Sequence, residues 1–237
     1  MNNVKYSDLV GVSYKTAWEL QTRLHSCLID HKMLKRRSPE LILEDVHHHL
    51  LFCEHNHVFT LGKSGNRDHL LLSDAELIDK SIEFFKINRG GDITYHGPGQ
   101  ITGYPIFDLD YFYTDVHRYV REIEQAVINT LLVFGIIAGR IEGYTGVWIL
   151  ADKHNPINRK ICAIGVHLSR WVTMHGFALN VNTDLSYFDL MIPCGIKDED
   201  KTVTSIATEL GQSIPIEVIK SVLKDQFANI FGLNFIE

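Results

Sequence analysis

The order of helical and strand-like segments is the feature of this sequence that most constrains its fold. Helix-type spacing of apolar residues occurs near both ends and in the middle, while the strand-like runs fall into two groups between these helices. Strict alternation of strands and helices is typical of parallel α/β sheets, whereas grouped strands favour an α+β domain. We therefore predict an α+β fold in which helices flank a mixed or antiparallel sheet.

Three helices are predicted from apolar periodicity and capping residues. The first covers residues 14–31, where apolar side chains recur at three- and four-residue steps. The second runs from an N-cap at Asp115 to Phe134, and the third from Pro215 to about Gly232. Strand-like runs rich in β-branched and aromatic residues cover 50–61, 82–88, 101–109, 146–150, 161–168 and 171–181.

Composition and charge narrow the class of protein. The chain has 237 residues, 45% of them hydrophobic, which fits one globular domain spanning residues 1–237. Its formal net charge of −6 opposes nucleic acid and anionic membrane as electrostatic partners. No run of about 18 apolar residues could span a bilayer, and the N-terminal residues have no signal or transit pattern. We therefore expect a cytoplasmic protein.

Four cysteines and a histidine-rich segment bear on disulfides and metal sites. Cys27, Cys53, Cys162 and Cys194 form no C-x-x-C pair and match neither a zinc finger nor a compact disulfide framework. Consecutive residues on a strand point to opposite faces, so His47–His49 cannot all reach one ion. We predict reduced thiols, no metal, no cofactor, and a partly exposed polar strand at the histidine run.

A basic cluster lies at the end of the first predicted helix and consists of Lys32, Lys35, Arg36 and Arg37. Such a run is most often a solvated helix end. The alternative is a local docking patch for an acidic partner.

The densest chemical signal is the segment RGGDITYHGPGQ at residues 89–100. Five glycines and one proline fall between Gly90 and Gly103, which predicts loop or tightly turned backbone with room for a ligand. The spacing matches neither common phosphate-binding glycine loop. Hydrogen-bond donors for a carbonyl or carboxylate are available at Arg89, Thr94, Tyr95, His96 and Gln100. A plain glycine-rich turn is an equal alternative on composition alone.

This segment resembles the signature of the octanoyltransferases of lipoate biosynthesis, which move octanoate from acyl carrier protein to lipoyl domains. The resemblance continues in EHNHVFTLG (54–62), GVWI (146–149), KICAIGVHL (160–168), HGFALNVNTDL (175–185) and IPCG (192–195), and so covers most of residues 50–200. It implies the fold of the biotin and lipoate protein ligase catalytic domain.

The resemblance also implies the residues that carry the chemistry. A catalytic cysteine and lysine fall on Cys194 and Lys160. Pro193 and Gly195 break regular structure on both sides of the thiol, which needs a nearby cation to ionise because a free thiol has a pKa of about 8.5. Asp198–Asp200 would oppose ionisation, so we expect this run to face solvent.

The substrate-binding positions implied by the resemblance form three segments. They are Arg89, Gly90, Gly91, Asp92, Ile93, Thr94, Tyr95 and His96; Ala163, Ile164 and Gly165; and Gly176, Phe177 and Ala178. His175 is a further candidate, and either His96 or His175 could orient an acyl carbonyl or relay a proton.

The implied reaction has two transfers. Cys194 accepts octanoate from octanoyl-acyl carrier protein as a thioester, and a lysine of a lipoyl domain then attacks it. The expected acceptors are lipoyl domains of 2-oxoacid dehydrogenase E2 subunits and the glycine cleavage H protein. One alternative is an ATP-dependent lipoate or biotin ligase of the same fold, which uses no cysteine nucleophile. Another is a non-catalytic carrier-binding or metal-binding protein.

Two departures from the family pattern are visible. His57 stands where the family usually has proline before the VFTLG run, at the entry to a strand that could border the pocket. Residues 151–159 are longer than the short turn expected before the lysine strand, and their Asn and Pro content predicts an exposed loop.

Overall fold

The computed structural model describes residues 2–42, 46–153, 155–192 and 200–236. Its α-helices are α1 (Tyr14–Arg37), α2 (Asp74–Asp79), α3 (Val116–Val133), α4 (Ile206–Leu210) and α5 (Ile216–Phe231). Its strands are β1 (Asn2–Leu9), β2 (His48–Cys53), β3 (Val58–Leu61), β4 (Glu83–Lys86), β5 (Ile93–His96), β6 (Gln100–Ile106), β7 (Gly139–Ile141), β8 (Tyr144–Ile149), β9 (Asn158–Ser169), β10 (Val172–Asn180), β11 (Lys201–Val203) and β12 (Leu233–Ile236).

A large mixed sheet runs through the centre of the molecule in the order β12-β1-β2-β6-β10-β9-β8-β7, and β11 also pairs with β9. The pairings from β2 through β6, β10, β9 and β8 are antiparallel. β1 is parallel to both β2 and β12. A smaller sheet has the order β4-β3-β5. The predicted α+β class with a mixed sheet is therefore confirmed.

Helices cover both faces of the large sheet. Alternate residues of a strand point to opposite faces, and β2 shows the division. Leu50 and Phe52 belong to the main core with α3 and α5, whereas Leu51 and Cys53 pack in a second cluster under α1. The smaller sheet has its own core, which includes Phe59, Tyr95 and Phe188.

The central and C-terminal helix predictions are confirmed. Asp115 caps α3, where its side chain accepts the backbone N–H of Arg118. Gly232 ends α5 with a φ of +62°, a conformation that glycine adopts without strain. The first helix is six residues longer than predicted and ends at Arg37.

The extra length of α1 follows from buried ion pairs that local periodicity does not report. Lys32 is 7% exposed, and its Nζ donates to Asp108 at 2.6 Å and to the carbonyl oxygen of Arg170 at 2.7 Å. Arg36 pairs with Asp110 at 2.7 Å. A fully solvated helix end was therefore the wrong interpretation for Lys32.

One strand prediction and one loop prediction were also wrong. The run at 50–61 is broken after Cys53, and its two halves, β2 and β3, lie in different sheets. The break occurs where the His55 side chain is buried and its Nε2 lies 2.6 Å from the Tyr104 hydroxyl. The glycine-rich stretch 90–103 is not all loop, because β5 lies inside it and pairs antiparallel with β3.

In the histidine run, His47 and His49 are partly exposed as predicted, whereas His48 is not. His48 is buried, and its ring lies against Phe107 and Phe112. Burial lowers the pKa of His48 to about 4, so it is neutral at pH 7. Within the ranges that the structure describes, no group of three His, Cys, Asp or Glu side chains is arranged to hold a metal ion. None of the helices in those ranges combines the length and apolarity needed to cross a membrane.

Candidate active site

A cavity of about 470 Å³ lies where β5 and the loop before it meet β9 and β10. Its wall is largely apolar. The apolar side chains that line it include Ile87, Ile93, Ile164, Val166, Phe177, Phe188, Met191 and Val203. Lys160 and Arg89 are among the polar residues of the lining. The same cavity therefore combines a largely apolar wall with two cationic side chains.

Strand register brings two of the predicted segments together. In the antiparallel pair of β9 and β10, the direct partners are Ala163 with Ala178, Ile164 with Phe177, and Gly165 with Gly176. All six residues line the cavity. In two of these three pairs, Ala163 with Ala178 and Gly165 with Gly176, both residues are small. Larger side chains at these positions would fill part of the cavity.

Gly165 sets how closely the loop at residues 89–92 approaches β9. The N–H of Gly90 donates to the carbonyl oxygen of Val166 at 2.9 Å. A Cβ built on Gly165 would lie 3.0 Å from the carbonyl oxygen of Gly90 and 3.2 Å from Cδ of Arg89. A side chain here would push the loop away, so this glycine defines one wall of the cavity.

Arg89 holds the loop to the smaller sheet. Its side chain is buried, and Nη2 donates to the carbonyl oxygen of Thr60 at 2.6 Å, while Nε donates to the Thr60 hydroxyl at 3.3 Å. Nη1 donates to the carbonyl oxygen of Gly90 at 3.0 Å. The guanidinium therefore fixes the position of the loop at residues 89–92, which forms part of the cavity wall.

Lys160 lies on β9, and its surroundings leave room for the side chain. Its Nζ lies 4.6 Å from the centre of the Trp148 ring on β8, a cation–π contact. Gly146 faces it with a φ of +124°, and a Cβ there would lie 3.5 Å from Cε of Lys160. The N–H of Gly146 donates to Oε1 of Glu124 at 3.0 Å.

Glu124 thereby anchors the strand that faces Lys160. Its carboxylate is fully buried and pairs with Arg121 and Arg140, each at 2.7 Å. Glu124→Ala is expected to lower the free energy of unfolding by about 3 kcal/mol, because two arginines and the Gly146 N–H lose their acceptor. Urea denaturation measures this change. The exposed Glu142→Ala is the matched control, and an equal effect of both variants would contradict the prediction.

Two histidines line the cavity and both are uncharged at neutral pH. Burial lowers the pKa of His96 to about 4 and that of His175 to about 3. Nε2 of His175 lies 2.7 Å from Oδ1 of Asn88, and its φ of +61° is uncommon for a residue other than glycine. Such strained positions concentrate at functional sites.

The structure brings most of the predicted site residues to this cavity. Those that line it are Lys160, Arg89, Gly90, Gly91, Asp92, Ile93, Thr94, His96, Ala163, Ile164, Gly165, Gly176, Phe177 and Ala178. Tyr95 instead lies in the core of the smaller sheet. Cys194, Asp198 and Glu199 fall outside the described residues, and of the acidic run only Asp200 is described, with its side chain 63% exposed.

His57, the departure from the family pattern, belongs to an aromatic stack behind β5. Its ring stacks on Tyr187 with centroids 4.3 Å apart, and its Nδ1 lies 2.7 Å from the Tyr95 hydroxyl. Tyr95 and Tyr187 also stack, at 4.8 Å. This stack supports the strand that carries His96, and it explains why Tyr95 turns away from the cavity.

Of the predicted exposed loop, residues 151–153 and 155–157 lie outside the strands, whereas Asn158 and Arg159 begin β9. Other residues of the lining were not predicted. They are Tyr14, Ile87, Tyr104, Val120, Gly143, Tyr144, Thr145, Val166, Phe188, Met191 and Val203, whereas His175, which also lines the cavity, was a candidate from sequence. Most come from elements far apart in sequence, so no local pattern could have grouped them.

Comparisons with known proteins show which family the chain resembles. A family model described as the lipoyl protein ligase A/B catalytic domain matches residues 13–228. An octanoyltransferase of Cytophaga hutchinsonii is 53% identical over 233 residues, which cover 98% of this chain and 94% of that protein. An octanoyltransferase of Flavobacterium johnsoniae is 51% identical over 229 residues, 96% of each chain.

Solved structures share the fold at low sequence identity. A bipartite lipoate protein ligase of Thermoplasma acidophilum superimposes with a TM-score of 0.69 at 16% identity, covering 100% of this chain and 87% of that one. A lipoate-protein ligase A with bound ATP gives 0.67 at 16% identity with the same coverage. A biotin protein ligase of Aquifex aeolicus gives 0.51 at 12% identity, covering 97% of this chain and 69% of that one.

Proposed function

Because the chain belongs to the octanoyltransferases of the lipoyl protein ligase A/B family, we propose that it moves octanoate from acyl carrier protein, through a thioester on Cys194, to a lipoyl-domain lysine. The transferase activity and its place in protein lipoylation follow from the family. The donor, the cysteine intermediate and the acceptor domains are the proposal.

The observation that carries the proposal is the composition of one cavity. Apolar side chains and the paired small residues of β9 and β10 give a slot for an alkyl chain, and Lys160 lines the same space. Burial of an octanoyl tail of seven methylene and methyl groups would contribute roughly 6 kcal/mol. An acyl group held there has its carbonyl end within the reach of a cation.

The described residues on either side of Cys194 support its role. Met191 lines the cavity, and the N–H of Ile192 donates to the carbonyl oxygen of His69 at 2.7 Å. Two residues span at most about 7 Å of chain, and Cys194 follows Ile192 by two positions. On the other side, Val203 lines the cavity and is the register partner of Lys160.

The first transfer exchanges one thioester for another. The Cys194 thiolate attacks the carbonyl carbon, a new carbon–sulfur bond forms, and the phosphopantetheine thiolate of the carrier leaves. The Lys160 ammonium stabilises the attacking thiolate and then gives its proton to the leaving thiolate. The exchange needs positioning more than driving force, since the two thioesters have similar energies.

The second transfer forms the amide. A free lysine is protonated at pH 7, with a pKa of about 10.4, so the acceptor ammonium must first lose one proton to solvent. The neutral amine nitrogen then bonds to the carbonyl carbon, and the Cys194 thiolate leaves. Lys160, left neutral by the first transfer, accepts the second proton from this nitrogen. Both groups then return to their starting charges, and each complete cycle releases one proton to solvent.

The test is intact-mass analysis after the protein is mixed with octanoyl-acyl carrier protein in the absence of ATP and magnesium. We expect a mass increase of one octanoyl group, which disappears when a lipoyl domain is added and reappears on that domain. A parallel reaction contains octanoic acid, ATP and magnesium. Transfer that occurs only in the parallel reaction would identify an ATP-dependent ligase and reject the proposal.

Acyl-chain length provides a second test of the cavity. Ala163→Leu places three further carbons opposite Ala178, where they would displace part of an octanoyl tail. Lost burial of three methylene groups is worth about 2.4 kcal/mol, which predicts a fall of about 50-fold in kcat/KM for the octanoyl donor. A butyryl donor serves as the internal control and should be affected much less. An equal loss with both donors would contradict this assignment of the tail.

We propose that the reaction occurs in the cytoplasm and modifies several lipoyl-dependent proteins. A thiol nucleophile has to stay reduced, which the cytoplasm favours. The acceptors proposed are lipoyl domains of 2-oxoacid dehydrogenase E2 subunits and the glycine cleavage H protein. Competition between purified acceptor domains in the same mass assay would rank them.

A further inference from the structure

A chain of side-chain hydrogen bonds lies behind the cavity and ends at His96. Nδ2 of Asn180 donates to the carbonyl oxygen of Thr204 at 2.9 Å. Oδ1 of Asn180 accepts from Nε2 of Gln100 at 2.9 Å, and the same Nε2 also donates to the carbonyl oxygen of Tyr95 at 3.2 Å. Oε1 of Gln100 lies 2.8 Å from Nδ1 of His96. These residues come from β10, β6 and β5.

The backbone carbonyl groups of Thr204 and Tyr95 determine the direction of every hydrogen bond in this series. A backbone carbonyl can only accept, so the Asn180 atom that faces Thr204 must be nitrogen. Oδ1 of Asn180 then faces Gln100, whose Nε2 must donate both to it and to Tyr95. The remaining Gln100 atom is an oxygen and needs a donor. His96 Nδ1 therefore carries the proton.

His96 consequently has a single tautomer. Burial lowers its pKa to about 4, so the ring is neutral at pH 7 and Nε2 has a lone pair. Within the described residues, the hydrogen-bond partner of Nε2 is the Thr60 hydroxyl at 3.4 Å, a long contact. His96 lines the cavity, so a donor brought by a substrate can replace or share that contact.

We propose that Gln100 and Asn180 are positioning residues that hold His96 as the Nδ1–H tautomer, with Nε2 ready to accept a hydrogen bond from the acceptor amine in the second transfer. An accepting nitrogen cannot bind the thioester carbonyl oxygen, so this tautomer excludes the carbonyl-orienting role considered for His96 from sequence. The hydrogen bond would aim the nitrogen lone pair at the acyl carbon, while Lys160 takes the proton. The inference rests on the proposed two-step function.

Two substitutions at Gln100 separate positioning from packing. Gln100→Met keeps the length of the side chain but removes the oxygen that accepts from His96 Nδ1. We expect His96 to lose its preference for the Nδ1–H tautomer, so that the Nε2–H tautomer is populated, and the second transfer to slow roughly tenfold or more. Gln100→Glu keeps an accepting oxygen, and as a buried neutral acid it also keeps a donor for Asn180. This variant should retain the tautomer and most of the rate.

Two measurements report the effects of these substitutions on the tautomer and on the two transfer rates. Nitrogen-15 NMR of the imidazole rings reports the His96 tautomer in the free protein, and rapid-quench mass analysis gives the rates of acyl-enzyme formation and of transfer to the lipoyl domain separately. Gln125→Met, which removes an amide on α3, is the matched control and should leave all three values unchanged. Thermal melting of each variant records any loss of stability.

The expected pattern is a changed tautomer and a slow second transfer in Gln100→Met alone, with acyl-enzyme formation little altered. An Nε2–H tautomer in the unaltered protein would overturn the inference. Equal slowing in Gln100→Met and Gln100→Glu with an unchanged tautomer would also overturn it. If the unaltered protein forms no acyl adduct, the proposed function fails, and the NMR result still decides whether Gln100 sets the tautomer.

Discussion

Replacing Cys194 by alanine is expected to abolish the covalent octanoyl adduct and to reduce transfer to the lipoyl domain by roughly a thousandfold or more. The physical reason is that the proposed mechanism links the two transfers through a thioester on the Cys194 sulfur, which alanine lacks. Intact-mass analysis with octanoyl-acyl carrier protein measures the adduct, and the octanoylated acceptor domain measures the overall rate.

The other cysteines provide the controls for this result. Cys27 is exposed on α1, and Cys27→Ala should leave the adduct unchanged. Cys53 and Cys162 are buried, and burial raises the pKa of both thiols, that of Cys53 to about 12. These two thiols are therefore poor nucleophiles at neutral pH. An adduct that persists in Cys194→Ala would contradict the proposed intermediate.

Replacing Lys160 by methionine is expected to slow both transfers by about 100-fold or more, because one residue supplies the cation of the first step and the proton acceptor of the second. Methionine keeps the length and apolar stem of the side chain, so the cavity stays filled. Loss of a cation disfavours the thiolate, and adduct formation should therefore require a higher pH than in the unaltered protein.

The pH profile of adduct formation is the decisive measurement for Lys160. Lys153→Met in the exposed loop removes the same charge from the chain and should leave the profile unchanged. A profile that is the same in Lys160→Met and in the unaltered protein would show that this lysine does not assist the thiol. Lys160→Arg keeps the cation but is a poor proton acceptor. If this variant restores the rate of adduct formation but not the rate of the second transfer, the cation role and the proton-acceptor role of Lys160 are separate.

The helices illustrate what could be predicted from sequence about the fold. In α3 a cap at Asp115, a helix-spaced apolar face and a glycine after the last turn all agree, so each local preference supports the same boundary. The grouped order of helices and strands was likewise sufficient for the fold class. Such features depend on neighbours within a few residues, which is the distance over which a sequence pattern carries information.

The strands that were missed show the opposite case. β1 and β12 lie at one end of the large sheet and pair in parallel, and β5 lies within a glycine-rich stretch that predicts turns. A parallel pairing depends on partners far away along the chain. The break between β2 and β3 also depends on Tyr104, which holds His55 from another strand.

Buried charges were equally invisible to local patterns. From sequence, Lys32 was predicted to belong to a basic, solvated helix end. Its burial is possible because Asp108, 76 positions away in the chain, pairs with it. Glu124 reads as one more charged residue on α3, yet it is fully buried between two arginines and the Gly146 N–H. A charge is stable in the interior only when its partners surround it, and partners are supplied by the fold.

For the candidate site, the motifs around Cys194 and Lys160 and the glycine-rich loop are local strings of residues, so they could be singled out from the amino-acid sequence. It could not reveal that Ala163 stands opposite Ala178, that Val203 pairs with Lys160, or that Gln100 is bonded to Asn180. Those contacts join residues 15 to 80 positions apart. They depend on strand register and on which buried groups need hydrogen-bond partners, and both are properties of the folded chain.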